Sequence, residues 1–185
     1  MRNLVYYICE GDTIMKKMLL IVDVQNDFVS GSLGSEYAQT VVAPNVIDLA
    51  KQFNKSDIFA TMDTHEENYL DTSEGKKLPV KHCIKNTWGH DLISELEPFV
   101  ERTHCLLKNT FGYNPYILSR LFTDYDEIHI CGLCTDICVV SNALILKASN
   151  PDKKIIIHAN ACGGTSKENH DAAIQVMKSC QLDIM

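Results

Sequence analysis

The sequence predicts an α/β fold, a three-layer sandwich in which a central, mostly parallel sheet is flanked by helices. The first observation is a series of short, continuously apolar runs, which are typical of strands buried on both faces. The second is the helical spacing of apolar residues in the segments between those runs. Because the two patterns alternate along the chain, parallel strands joined by crossover helices are favoured.

The predicted strands are the apolar runs Met18–Val22, Ile58–Thr61, Cys105–Leu107, Ile128–Leu133 and Ile155–His158, with a weaker run at Leu182–Met185. Helical stripes are predicted over residues 41–53, 139–146 and 173–180. A chain of 185 residues suits one hydrophobic core. We therefore predict a single domain over residues 18–185, preceded by an N-terminal extension of residues 1–17.

Composition excludes several classes of protein. The apolar content of 45% and charged content of 22% are ordinary for a soluble globular chain. A net charge of -7, without clustered lysines and arginines, argues against a nucleic-acid surface. No apolar run approaches the roughly 20 residues of a membrane helix, and the start does not resemble a secretory signal. We expect a cytoplasmic protein whose eight cysteines are reduced.

Reactive side chains follow several predicted strands. Four strands are each followed by such a residue or turn: Asp23, Asp63, Lys108 and the turn at 134–138. Ligands in α/β folds bind beyond the carboxyl ends of the strands, so these groups are expected to meet there. The longest irregular segment, residues 64–89, begins at the same edge, and such segments are more often functional than idle.

The segment 128–138 has the pattern of a strand, a glycine turn and a helix start. We predict that Thr135 or Asp136 caps this helix by accepting a backbone N–H. Cys138 then lies in the first turn, where the helix dipole is expected to lower its pKa. The N–H groups of that turn can also stabilise the oxyanion of a tetrahedral intermediate.

A base and a cation near Cys138 favour a nucleophilic role. Asp23 ends an apolar run, where poor solvation raises a carboxyl pKa toward the range of a general base. With Lys108 as charge stabiliser, the three residues have the composition that acyl transfer requires. Two alternatives stay open: Cys138 is a small core residue, or it binds zinc together with Cys131 and Cys134.

The motifs that carry these residues resemble the isochorismatase-like cysteine hydrolases. They are Leu-Ile-Val-Asp-Val-Gln-Asn-Asp-Phe at 20–28, Lys108, and the segment 132–138, and the resemblance extends from about Met18 to near the C-terminus. It implies a central parallel sheet flanked by helices and an Asp–Lys–Cys catalytic triad, here Asp23, Lys108 and Cys138.

The resemblance also implies an oxyanion hole. Family members have a cis peptide bond before the nucleophile helix, which here corresponds to Leu133–Cys134. The N–H groups of Cys134 and Cys138 are then expected to point at the substrate oxygen.

A metal site is implied for family members that hydrolyse nicotinamide, which bind a divalent ion through an Asp-x-His pair and a later histidine. Here the matching residues are Asp63, His65 and His82, and Glu74 is a possible additional ligand. Residues two apart in an extended segment face the same side, so the first two can bind one ion. One carboxylate and two imidazoles suit zinc, iron or manganese.

The predicted reaction is hydrolysis of nicotinamide to nicotinate and ammonia through a cysteine thioester, as part of NAD salvage. Phe28, Phe111 and Tyr113 are candidates to flank the substrate ring, although core packing is an equal alternative for the two phenylalanines. We expect a small-molecule amide substrate and a homo-oligomer, with no nucleic-acid or membrane partner.

Other functions stay open at this point. A different carboxamide or ureide hydrolase of the same family fits the triad equally well. Isochorismatase activity does not need the Asp-x-His pair. A non-catalytic binding or redox protein can use the three clustered cysteines instead.

Overall fold

Six parallel strands form one sheet in the computed structural model, which describes residues 15–185. The strands are β1 (Lys17–Val22), β2 (Ile58–Asp63), β3 (Cys105–Lys108), β4 (Glu127–Leu133), β5 (Lys154–Gly163) and β6 (Asp183–Ile184). Their order is β3-β2-β1-β4-β5-β6, and every neighbouring pair is parallel. The predicted fold class and all six strands are confirmed. Most of the predicted N-terminal extension, residues 1–14, lies outside the described residues.

Helices pack around this sheet. They are α1 (Asn26–Val29), α2 (Ala43–Ala50), α3 (Pro115–Leu121), α4 (Val140–Ser149) and α5 (Lys167–Ser179). The three predicted stripes correspond to α2, α4 and α5. The short helices α1 and α3 were not predicted, because four and seven residues are too few for a clear helical period. Among residues 15–185, no helix is long and apolar enough to cross a membrane.

The central strands explain the apolar runs. In β1, Met18 to Val22 are all completely buried, and every residue of β4 is buried. Strand β1 pairs with β2 on one side and β4 on the other, so neither edge is exposed. Burial of each large aliphatic side chain here adds about 1.5–3 kcal/mol to the stability of the fold, so β1 and β4 form the centre of the hydrophobic core.

The strand order reverses between β1 and β4, and that reversal positions the site. From β1 the chain continues to β2 and β3 on one side, then returns to β4, β5 and β6 on the other. The carboxyl ends of β1 and β4 therefore border a crevice where α/β folds bind ligands. Gly132 near the end of β4 has a φ of +124°, and a Cβ there would collide with the backbone of Val22. Only glycine permits this approach.

Candidate active site

Asp23 directly follows β1 and lies at the bottom of the crevice. Its φ of +50° is in the left-handed region, which turns the chain out of the strand. The backbone N–H donates to the Thr61 carbonyl at 3.1 Å, and the Thr61 hydroxyl donates to Asp23 Oδ1 at 2.6 Å. Among the described residues, Asp23 Oδ2 is the one buried side-chain oxygen or nitrogen without a well-oriented hydrogen bond. This oxygen is available to accept a proton.

Lys108, the last residue of β3, joins the three predicted catalytic side chains. Its Nζ lies 2.7 Å from Asp23 Oδ2 and 3.4 Å from Cys138 Sγ. The same nitrogen lies 3.7 Å from Asp63 Oδ1. The side chains of Asp23 and Lys108 are almost completely buried, so this ion pair is shielded from water. The structure thus brings Asp23, Lys108 and Cys138 together.

Burial controls the protonation of Asp23 and Cys138. Desolvation raises the pKa of Asp23 despite the nearby positive charge of Lys108. Desolvation, and then the negative charge of Asp23, raise the pKa of Cys138 well above its usual value. The predicted lowering of the Cys138 pKa is therefore wrong, because a helix start cannot offset removal of the thiol from water. Cys138 is therefore a neutral thiol in the resting protein. The neighbouring Asp23 carboxylate binds a proton more tightly than an exposed carboxylate does.

The turn that holds Cys138 is π-helical and covers Thr135–Val139. The Leu133–Cys134 peptide bond before it is cis, as the family resemblance implies. The predicted cap is wrong, since no side chain caps this helix start.

Both predicted caps bind elsewhere. The buried Thr135 hydroxyl forms a hydrogen bond with His170 Nδ1 of α5 at 2.8 Å. Asp136 accepts hydrogen bonds from the Thr165 N–H at 2.8 Å and the Thr165 hydroxyl at 2.6 Å. These contacts attach the turn that holds Cys138 to α5 and to the segment before it, which the sequence pattern did not reveal.

A second cluster adjoins the triad. The ligand atoms of Asp63, His65 and His82 all lie within 4.8 Å of one another, and all three residues are buried. Asp63 Oδ2 lies 2.9 Å from His65 Nε2 and 3.4 Å from His82 Nε2. Glu74 Oε1 is 3.8 Å from His65 Nε2 and 3.9 Å from His82 Nε2. Asp63, His65 and His82 therefore converge, and Glu74 lies beside the two imidazoles.

The chemistry of this cluster fits a divalent metal ion. His82 Nδ1 lies 2.8 Å from the Val80 carbonyl, and donation there leaves the Nε2 lone pair for a metal. Burial alone would raise the pKa of Asp63, but hydrogen bonds from His65 and His82 hold it well below its usual value. An ionised carboxylate facing two imidazoles is a suitable ligand set for zinc, iron or manganese. No other group of this kind was found in residues 15–185, so the three-cysteine zinc alternative is not supported.

Gln25 positions the backbone of Asp63 and was not predicted. Its Oε1 accepts from the Asp63 N–H at 2.8 Å, and its Nε2 donates to the Asp63 carbonyl at 2.8 Å and to the His90 carbonyl at 2.7 Å. The side chain is completely buried. The available signal was a polar residue three positions after the end of the buried strand β1.

A cavity of about 730 Å³ opens onto both clusters. Phe28 and Phe111 line it, together with Asp63, His82 and Cys138. The cavity wall does not include Tyr113, whose N–H donates to Asn142 Oδ1 at 2.8 Å and whose side chain packs against the core. The predicted ring contact of Tyr113 is therefore not supported.

Phe28 is well placed to meet a ligand near the metal-binding cluster. Its ring centroid lies 5.5 Å from that of His82, with the rings tilted by 59°. Phe111, in contrast, is half exposed at the cavity wall, so packing in the core does not explain it.

Comparisons with known proteins agree with this architecture. The family model described as "Isochorismatase domain" matches residues 17–185. The chain is 29% identical over 176 residues to the uncharacterized isochorismatase family protein PncA of Bacillus subtilis, with 86% of this chain and 93% of that protein aligned. The solved nicotinamidase/pyrazinamidase PncA from Bacillus subtilis superposes with a TM-score of 0.75 at 27% identity, covering 92% of this chain and 99% of that one. The pyrazinamidase of Pyrococcus horikoshii in complex with zinc shares the fold, with a TM-score of 0.78 at 24% identity and coverage of 92% and 98%.

Proposed function

Because residues 17–185 match its family model, the chain belongs to the isochorismatase family, and we propose that it hydrolyses nicotinamide to nicotinate and ammonia. One observation carries the proposal: Cys138 of the Asp23–Lys108–Cys138 triad lines the same cavity as Asp63 and His82 of the Asp–His–His cluster. The names of the similar Bacillus subtilis and Pyrococcus horikoshii structures support the same substrate class. The proposal places the enzyme in NAD salvage in the cytoplasm.

The first step forms the nucleophile. Asp23 Oδ2 accepts the proton of the Cys138 thiol, and the sulfur attacks the carboxamide carbon. The raised pKa of Asp23 makes this carboxylate a stronger base than an exposed one. Lys108, 3.4 Å from the sulfur, stabilises the negative charge as it develops there.

The second step breaks the carbon–nitrogen bond. The N–H groups of Cys134 and Cys138 hold the oxyanion of the tetrahedral intermediate. Asp23 returns its proton to the departing ammonia, which leaves a thioester on Cys138. Water then attacks the thioester carbonyl, and its proton returns to the Cys138 sulfur as nicotinate is released.

The substrate ring is oriented by the far side of the cavity. Asp63, His65 and His82 would hold a divalent ion, zinc or alternatively iron or manganese, with Glu74 as an additional ligand. When bound, that ion would supply a Lewis acid for the pyridine nitrogen of the substrate. Phe28 and Phe111 contact the ring faces and exclude water.

The test is ammonia release from nicotinamide by the zinc-loaded protein, measured beside the Cys138→Ala variant. We expect turnover in the wild type and a loss of about 10⁴-fold or more in the variant, because the covalent route is removed. Cys180→Ala, at an exposed cysteine outside the cavity, is the matched control and keeps the wild-type rate. Release of ammonia from ureides but not from nicotinamide would refute the substrate assignment while leaving the triad intact.

A further inference from the structure

A second thiol shares the cavity with the nucleophile. Cys134 and Cys138 both contribute to its wall. The carbonyl of Cys134 accepts hydrogen bonds from the N–H groups of Ile137 at 3.1 Å and Val139 at 3.0 Å. The chain at Cys134 is therefore folded back against the turn that carries Cys138.

The cavity wall that both cysteines share adjoins the Asp23–Lys108 pair. Lys108 Nζ lies 3.4 Å from Cys138 Sγ, and Cys134 contributes to the same wall. Burial raises the pKa of Cys134 to about 12; the charges of Asp136 and Asp23 add to the rise, and that of Lys108 opposes it. Burial also dominates the raised pKa of Cys138, on which the charges of Asp23 and Lys108 act as well.

The separation of the two residues is compatible with a covalent bond. The hydrogen bonds from Ile137 and Val139 to the Cys134 carbonyl close a turn that includes Cys138, which keeps the two cysteines within one turn of each other. A disulfide needs a Cβ separation of about 3.5–4.5 Å, so Cys134 moves toward Cys138 as the bond forms. Cys134 has an extended backbone and precedes the helical turn, so it can make that movement without breaking α4.

We propose that Cys134 and Cys138 form a reversible disulfide when the protein meets hydrogen peroxide, which makes this pair a site of oxidative modification. In the first step Asp23 accepts the thiol proton of Cys138, and the sulfur attacks one peroxide oxygen. An S–O bond forms and the O–O bond breaks, with two electrons passing from sulfur to peroxide. The leaving hydroxide takes the proton from Asp23 and departs as water, and a sulfenic acid remains on Cys138. In the second step the Cys134 sulfur attacks the sulfenic sulfur. The S–S bond forms, the S–O bond breaks, and the hydroxyl leaves as water with the Cys134 proton.

The disulfide prevents Cys138 from reacting with substrate and also protects it from irreversible oxidation. While it exists, the sulfur cannot attack an amide carbon, and it cannot be oxidised further to the irreversible sulfinic acid. A dithiol reductant restores both thiols. Cys131 and Cys162 are completely buried in β4 and β5, away from the cavity wall, so they are not expected to take part.

The test maps the bond in the zinc-loaded enzyme after treatment with hydrogen peroxide. Trypsin yields one peptide, Leu121–Lys147, that contains Cys131, Cys134 and Cys138. Cleavage before Asp136 then separates the first two cysteines from the third. We expect the two fragments to remain linked until dithiothreitol is added, with the mass of the linked pair lower by two hydrogens.

Two variants test which cysteine forms the disulfide with Cys138. Cys131→Ala is expected to keep the linkage, which excludes Cys131 as the bonded thiol. Cys134→Ala, compared with its own untreated sample, is expected to accumulate sulfinic acid on Cys138 and to regain about tenfold less activity than the wild type after reduction. Unlinked fragments in the wild type would overturn the proposal, whether or not the variants fold, as would equal recovery in Cys134→Ala. Because linkage is read by mass, a protein that fails to release ammonia from nicotinamide would refute the proposed function without affecting this result.

Discussion

At the amino edge of the sheet Glu127 lies between Lys17 and Lys154, whereas at the carboxyl edge Asp23 is paired with Lys108. The first three residues begin neighbouring strands and are directly in register. Glu127 Oε2 lies 3.0 Å from Lys17 Nζ, and Oε1 lies 2.8 Å from Lys154 Nζ. Asp23 Oδ2 is a similar 2.7 Å from Lys108 Nζ. The same chemical pairing thus occurs at both edges.

Both carboxylates are buried, and their lysine partners make them differ. Hydrogen bonds, first from Lys154, lower the pKa of Glu127 to about 2, and the side chains of Lys154 and Lys17 are 52% and 49% exposed. At the carboxyl edge neither partner reaches water, and desolvation raises the pKa of Asp23. A buried carboxylate at the edge of a sheet therefore becomes a fixed anion where several donors reach it from solvent-exposed lysines, and a usable base where its one lysine partner is buried with it.

Matched amide substitutions test this difference most strongly. Asp23→Asn removes the proton acceptor and is expected to lower kcat by about 10²–10⁴-fold. Glu127→Gln makes the same chemical change at the opposite edge and is expected to keep kcat within about twofold. Ammonia release under saturating nicotinamide is the measurement. Similar losses in both variants would mean that the edges are not functionally distinct.

The next largest expected difference is in zinc affinity, between variants inside and outside the Asp–His–His cluster. His82→Ala removes a converging ligand and is expected to weaken zinc binding by about 100-fold, measured by competition with a chromogenic chelator. Glu74→Gln is expected to weaken it by about tenfold, because its oxygen is farther from both imidazoles than that of Asp63. His158→Gln, at a histidine outside the cluster and the cavity, serves as control. Equal zinc affinity in His82→Ala and His158→Gln would contradict the assigned site.

The sequence was sufficient for the parts of the site that follow buried runs. Asp23, Asp63 and Lys108 each end or follow such a run, so the strand pattern alone brings them to one edge. The family motifs sharpened the triad roles that the residues already indicated, and they supplied the third metal ligand, His82. The strands, and the helices long enough to show a period, were predicted for the same reason: their patterns are local.

The features that depend on distant contacts were not predicted. Gln25 and Thr61 act across 38 residues of sequence, on Asp63 and Asp23 respectively, and no local pattern reports those partners. The cap at Thr135 was wrong because His170 of α5 binds its hydroxyl. The pKa direction of Cys138 was wrong because burial depends on the whole packed cavity.

The smallest expected effect is on stability toward acid, and it concerns only the amino edge of the sheet. Because the folded pKa of Glu127 is about 2 against an ordinary 4.5, its ion pairs add stability that is fully present above pH 4.5 and is lost as pH falls toward 2. Glu127→Gln is expected to lower the free energy of unfolding at neutral pH by about 1–2 kcal/mol, discounted for the half-exposed lysines. The difference from wild type should shrink below pH 4.5, as measured by urea denaturation at several pH values. A difference that stays constant across that range would mean that packing of the Glu127 side chain, and not its charge, stabilises this edge.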